Sequence, residues 1–317
     1  MIGKSEKFCR HLKKFLFGAV LISSTAILTG CCTTKTGIFN PKGIITYEEK
    51  KLFLNALVLM SIVVVPVFVM SFAFIVRYCR TETEKHYKRT SGSEQGNCKD
   101  LNYQPNWNYS PLLEGVVWSV PMAIISVLGI MVWTTSHKLD PYRPLAGTGT
   151  GKSMIVQAIA LPWKWLFIYP KQKIATLNYL EIAEGQPVKL TLTSDNVPMS
   201  AFFIPQLGSQ IYTMAGMQTK LHLVATKSGT YEGFDSQYNG NGFSDMHFAV
   251  RVVNSNEFQS WCDKVRRSRE KLTFPVYQNL IRPSIKVSVH CYSSVVPNLF
   301  SQVLTKYLQT KGNSTYR

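Results

Sequence analysis

A loop with the outline of a metal site runs from Gly233 to Met246 and reads GFDSQYNGNGFSDM. Turn formers alternate there with polar side chains, and a methionine closes the segment. It contains neither cysteine nor histidine, so the soft thiolate and imidazole donors that suit copper are missing. Two further positions carry chemistry. Glu114 stands at the edge of an otherwise apolar run. A buried, unpaired carboxylate in a membrane costs several kcal/mol, so such a group commonly marks a polar pathway. Cys31 ends the stretch Leu28-Thr29-Gly30-Cys31, which resembles the bacterial lipobox, whose cysteine is diacylated on sulfur and becomes the new N-terminus. Cys31 fits the spacing from Leu28 better than Cys32 does; the alternative is an uncleaved signal anchor with two incidental cysteines.

The elements that must position these groups begin with an address. Lys4, Lys7, Arg10, Lys13 and Lys14 precede an apolar stretch, Phe15 to Leu28, in the order of a secretory signal. Leu52–Val76 then runs without a charge and is long enough to cross a bilayer with some tilt; Pro66 is expected to kink it. A second run, Leu112–Thr135, has Trp118 and Trp133 towards its ends, as interfacial aromatics often are. The connector carries Arg77, Arg80, Lys85, Lys88, Arg89 and Lys99, more than either flank, so the positive-inside rule puts it in the cytoplasm with both ends outside. The formal net charge of +17 is spread along the chain and not gathered in one tract, which favours a membrane protein over a nucleic-acid binder.

From Ser153 onward the pattern turns to short segments rich in β-branched and aromatic residues, punctuated by Gly, Pro, Asn and Asp, which predicts a β-sandwich or barrel. After Asn254, Phe258, Trp261, Val265 and Leu272 fall at helical spacing, and Val296–Gln309 reads as a second amphipathic helix. Ala146–Ser153, AGTGTGKS, imitates a phosphate-binding loop but lacks its first glycine and a preceding buried strand, so it reads as a flexible linker. Cys262 and Cys291 lie in the exported region, where a disulfide is chemically permitted and two free thiols are the alternative. The chain therefore divides into a signal peptide (1–30), a lipidated extracytoplasmic segment (31–51), a first span (52–76), a cytoplasmic connector (77–111), a second span (112–136), a linker (137–152), a β-domain (153–254) and a helical extension (255–317).

A lipidated N-terminus, two spans and an exported β-domain together resemble subunit II of the haem-copper respiratory oxidases. Glu114–Pro121 (EGVVWSVP), Trp163–Pro170 (WKWLFIYP) and Phe202–Ala225 (FFIPQLGSQIYTMAGMQTKLHLVA) are similar to its quinol-oxidising, cytochrome bo-type branch. The resemblance runs from the lipobox to the C-terminal helices and departs mainly in a longer connector. It implies a fold: a two-helix transmembrane hairpin followed by a cupredoxin-like Greek-key β-sandwich with C-terminal helices.

It also implies roles. The cytochrome c-oxidising branch holds two coppers with a histidine and a loop C-x-E-x-C-x-x-x-H-x-x-M. On that pattern the first histidine falls on Met199, and the loop positions fall on Asp235, Gln237, Asn239, Phe243 and Met246. Only the closing methionine remains, so neither metal nor cofactor is expected on this chain. His222 and His247 read as satisfied strand histidines, and Trp163, where the copper branch admits electrons, as a packing residue. The resemblance implies a partner, subunit I, which binds ubiquinol, carries haems and a copper, and pumps protons while reducing oxygen to water. Smaller subunits III and IV and the bilayer complete the partners, with no nucleic acid among them, and the setting is the bacterial inner membrane. Glu114 then corresponds to the mouth of a proton-uptake channel. Two rival readings remain: a cytochrome c oxidase subunit, which needs cysteines near Asp235 and Asn239, and a tethered lipoprotein binding module with no enzymatic partner.

Overall fold

The computed structural model describes residues 37–90, 109–145 and 153–314. The signal peptide, Cys31, residues 91–108 of the connector and residues 146–152 of the glycine-rich linker lie outside them. The described residues fall into two compact units, one of residues 52–90 and 109–134, the other of residues 37–51 and 135–314.

The first unit is helical. Helix α1 spans Ile44–Thr90 and α2 spans Pro111–Lys138, and both have stretches long and apolar enough to cross a membrane. A helix suits such a setting because it satisfies every interior backbone group within itself. The polar side chains in these stretches also bond internally. Ser61, Ser71 and Ser126 donate to the carbonyl four residues back at 2.8 Å, and Thr134 does so at 2.9 Å.

The second unit is a two-sheet sandwich. One sheet has the order β11-β3-β2-β1-β5-β8, from strands β1 (Met154–Leu161), β2 (Lys164–Tyr169), β3 (Ile174–Leu177), β5 (Val188–Ser194), β8 (Thr219–Leu223) and β11 (His290–Tyr292). The other has the order β4-β10-β9-β6-β7, from β4 (Tyr179–Ala183), β6 (Met199–Ile204), β7 (Gly208–Met214), β9 (Gly229–Asp235) and β10 (His247–Val253). The parallel pairs β1–β5 and β4–β10 show that the chain crosses between sheets and does not meander. Between the sheets lies a core in which Trp165, Phe167, Phe202 and Phe248 interlock; the Phe202 and Phe248 rings stack at 5.1 Å.

Strand β2 is buried at every position, where a solvent-facing strand would alternate. The reason is a third layer. Helices α3 (Ser255–Arg266), α4 (Phe274–Leu280) and α5 (Leu299–Ser314) follow the sandwich, with β11 between α4 and α5. Leu272, Tyr277, Tyr292, Leu299, Phe300 and Val303 cover the outer side of the first sheet and make a second core with Ile159, Leu161, Leu166 and Ile168. The extension expected to be helical thus also contributes an edge strand, and its first helix ends at Arg266, short of Leu272.

Residues 37–45, within the expected N-terminal segment 31–51, are built into the sandwich unit. Gly43 bridges Ala225, Lys42 N–H donates to the Gln206 carbonyl at 2.9 Å, and Ile45 is buried in the main core. A Cβ at Gly43 would sit 2.3 Å from the Leu207 carbonyl oxygen, so only glycine permits this approach. Lys138, at the end of α2, pairs with Glu48 at 3.1 Å. The residues before the first span and those after the second therefore share one folded unit.

Candidate functional site: a loop closed by an amide

The Gly233–Met246 loop starts at the last residues of β9 and ends at the first residue before β10. Asp235, opposite Phe202 in the β6–β9 ladder, is 2% exposed, and Met246 is 1% exposed. One carboxylate oxygen of Asp235 accepts from Ala201 N–H at 2.7 Å and from Gln237 N–H at 3.0 Å, a side-chain turn that fixes the loop's direction. The other accepts from the Asn239 side-chain amide at 2.8 Å. That same amide nitrogen lies 3.2 Å from Ser200 Oγ and 3.2 Å from Met246 Sδ.

An N–H donor group thus occupies the centre of a shell of oxygen and sulfur acceptors. Burial raises the Asp235 pKa, and its hydrogen bonds from Ala201, Gln237 and Ser200 oppose that shift. Carboxylate, hydroxyl and thioether make a donor set of mixed softness without a bridging thiolate, and all three already bond the amide. The residues present do not fit a binuclear copper centre.

The remaining expected positions fall elsewhere. Gln237 contributes its backbone N–H, and Phe243 opens a short 3-10 turn with its ring edge-on to Tyr238 at 5.7 Å. Met199 pairs across the ladder with Met214. Because strand side chains alternate, the residue facing Asn239 is its neighbour Ser200. Ser200 was not singled out in the sequence; a buried serine next to the aligned position is too common a pattern to signal it.

Trp163 packs against the loop. It has φ +60 in the β1–β2 turn, and a Cβ at Gly242 would lie 2.4 Å from the indole. Lys164, 1% exposed, donates to the Arg282 carbonyl at 2.8 Å and to Ser284 Oγ, and burial lowers its pKa to about 8. His222 Nδ1 lies 3.0 Å from the Pro141 carbonyl, and His247 bonds Glu232 at 2.9 Å and the Ser244 carbonyl at 2.9 Å. Both rings are partnered. Cys262 and Cys291 are free thiols, and burial pushes Cys262 up to about 11. Glu114 lies in the first turn of α2 with its side chain exposed; a carboxylate there suits the positive end of the helix dipole.

A buried carboxylate outside the loop fastens the extension. Asp195, 1% exposed, accepts from Tyr277 Oη at 2.6 Å, Tyr307 Oη at 2.7 Å and Lys306 Nζ at 2.8 Å. All three donors come from α4 and α5.

Comparison with known proteins places this architecture. The chain is 44% identical over 286 residues to the cytochrome bo(3) ubiquinol oxidase subunit 2 of Pseudomonas aeruginosa, covering 90% of this chain and 80% of that protein. The chain belongs to the ubiquinol oxidase subunit 2 family. It is also 39% identical over 286 residues to the ubiquinol oxidase subunit 2 of Acetobacter aceti, covering 90% of this chain and 86% of that protein. Residues 266–311 match the COX aromatic rich motif, the third layer described above. Among solved structures, the periplasmic domain of subunit II of the cytochrome oxidase of Bradyrhizobium japonicum is similar, with a TM-score of 0.35 and 21% identity. The match covers 38% of this chain and 96% of that domain. Membership in the ubiquinol oxidase subunit 2 family makes this chain a subunit of an oxidoreductase complex, anchored in the membrane by its apolar helices.

Proposed function

We propose that this chain is the non-redox subunit II of a proton-pumping terminal oxidase that oxidises ubiquinol and reduces oxygen to water. Electrons enter in subunit I, which carries the haems and a copper, and this chain caps that subunit on the periplasmic side of the inner membrane. The observation that carries the reading is the Asn239 amide, which fills the centre of the metal loop in a chain related throughout to ubiquinol oxidase subunits. With that centre closed, a relay from a soluble electron donor has no metal in the loop to pass through. Subunits III and IV are further partners, and Cys31 carries a lipid that holds the N-terminal segment at the membrane.

Glu114 is the chain's contribution to chemistry. With the connector in the cytoplasm, the start of α2 is at the proton-uptake side, and the Glu114 carboxylate passes protons towards subunit I. Affinity purification of the full chain from its native membrane tests the main reading. A haem-containing, many-span partner and ubiquinol oxidase activity should copurify; recovery of the chain alone overturns it. In the same preparation, Glu114→Ala is expected to assemble normally and turn over several-fold more slowly, and undiminished turnover removes Glu114 from the pathway.

A further inference from the structure

The β6–β7 hairpin and the turn that follows it carry three thioethers on a surface that the loop chemistry does not use. Met199 and Met214 stand directly opposite each other in the ladder, which sets their Cβ atoms about 4.5–5.5 Å apart on one face. That face points outward, because the alternate residues Ser200 and Phe202 are buried towards the loop and the core. Met217 follows Met214 across a tight turn, its N–H donating to the Met214 carbonyl at 3.2 Å with Gly216 at φ +74. The ends of such a turn lie within about 7 Å of each other. Met214 is 36% exposed, Met217 is 48% exposed and Met199 is half-buried, so all three are open to solvent.

The framework behind them is fixed. A Cβ at Gly216 would stand 3.0 Å from Tyr307 Cβ, so α5 packs against the turn. The Tyr307 hydroxyl donates to Asp195 at 2.7 Å and accepts the Asn196 N–H at 2.8 Å, three residues before Met199. The ladder and one tyrosine therefore hold both ends of the methionine group, while the unbranched methionine side chains can adjust to a ligand.

From this arrangement we infer that Met199, Met214 and Met217 form a surface site for a soft monovalent metal ion, Cu(I). Three neutral thioethers are soft donors that select Cu(I), and they offer nothing to Mg(II) or Ca(II), which need oxygen ligands. A three-coordinate ion here leaves one side open to a donor or acceptor of copper. The site is separate from the Asn239 cluster and does not rest on the oxidase reading.

The test is an anaerobic titration of the purified full chain, its cysteine thiols first alkylated, with Cu(I) supplied as its acetonitrile complex. One equivalent should transfer to the wild-type chain, and X-ray absorption should show sulfur as the only ligand type. Met214→Leu/Met217→Leu is volume-conserving and should keep the fold, checked by circular dichroism, while weakening Cu(I) retention at least tenfold. Met199→Leu should also weaken it, and Met246→Leu should leave it unchanged. Failure of the wild-type chain to take Cu(I), undiminished binding in the double variant, loss in Met246→Leu alone, or equal retention of Zn(II) each overturns the assignment.

Discussion

Asn239 shows how a metal-site outline persists without a metal. A copper ion would draw its ligands together from the centre; here a side-chain amide does so by donating hydrogen bonds outward to Asp235, Ser200 and Met246. Removing it leaves Asp235 buried with fewer donors, which costs about 1–3 kcal/mol. Asn239→Ala should therefore lower the melting temperature by roughly 2–4 °C per kcal/mol lost, read by thermal denaturation. Lys164 makes a second prediction at this scale. Burial holds its folded pKa at about 8, below the ordinary lysine value of 10.5. Between these values the unfolded chain binds more protons, so stability rises with pH across that window and falls as pH drops through about 8. Denaturant midpoints measured from pH 8 to 10.5 should climb more steeply for the wild-type chain than for Lys164→Met; parallel curves would show that the lysine does not titrate in this range. The outline of the metal loop was legible from residue types alone, because softness is a property of the side chain. The amide at its centre was not, since an asparagine in a glycine-rich loop usually signals only a turn.

Among the elements, the aromatic-rich extension holds its place through polar contacts as much as through its apolar cover. Asp195 takes hydroxyls from both α4 and α5, and Lys164 and Asn178 grip backbone carbonyls at Arg282 and Val287. Asp195→Ala strands the buried Tyr277 hydroxyl, at about 1–3 kcal/mol. Hydrogen exchange should then rise across residues 273–314 while the main-core strands stay protected, and Asp195→Asn, which keeps an acceptor, should restore much of the protection. Uniform exchange throughout the unit would mean that the extension and sandwich melt together. The β-branched and aromatic runs beginning at Met154, Trp165, Val188, Ala201, Thr219 and His247 were visible in the sequence and fall on β1, β2, β5, β6, β8 and β10. Strands β3, β4, β7 and β11 were not; β3 and β11 are short and are made strands by their neighbours. The near-continuous burial of β1 and β2 registered only as apolar runs; nothing local announces that a later segment will cover the second face.

For the whole molecule, the two apolar runs were plain from the absence of charge, but the first helix, Ile44–Thr90, extends past the expected span at both ends, and the fate of residues 37–45 was not legible. Their bridge to Ala225 joins positions far apart in sequence and separated by both spans. With this segment and residues 153–314 in one unit, single cysteines introduced at positions 40 and 310 should react with a membrane-impermeant maleimide on intact spheroplasts. One at position 95 should react only after permeabilisation. Labelling of 40 and 310 from opposite sides would refute the topology. The Gly43 bridge has a consequence for biogenesis. If one helix fails to cross the bilayer, residues 37–45 and their groove beside Leu207 are left on opposite sides, and the core around Ile45 stays open. The sandwich closes only when residues 37–45 reach it, so its folding is coupled to correct threading of the hairpin.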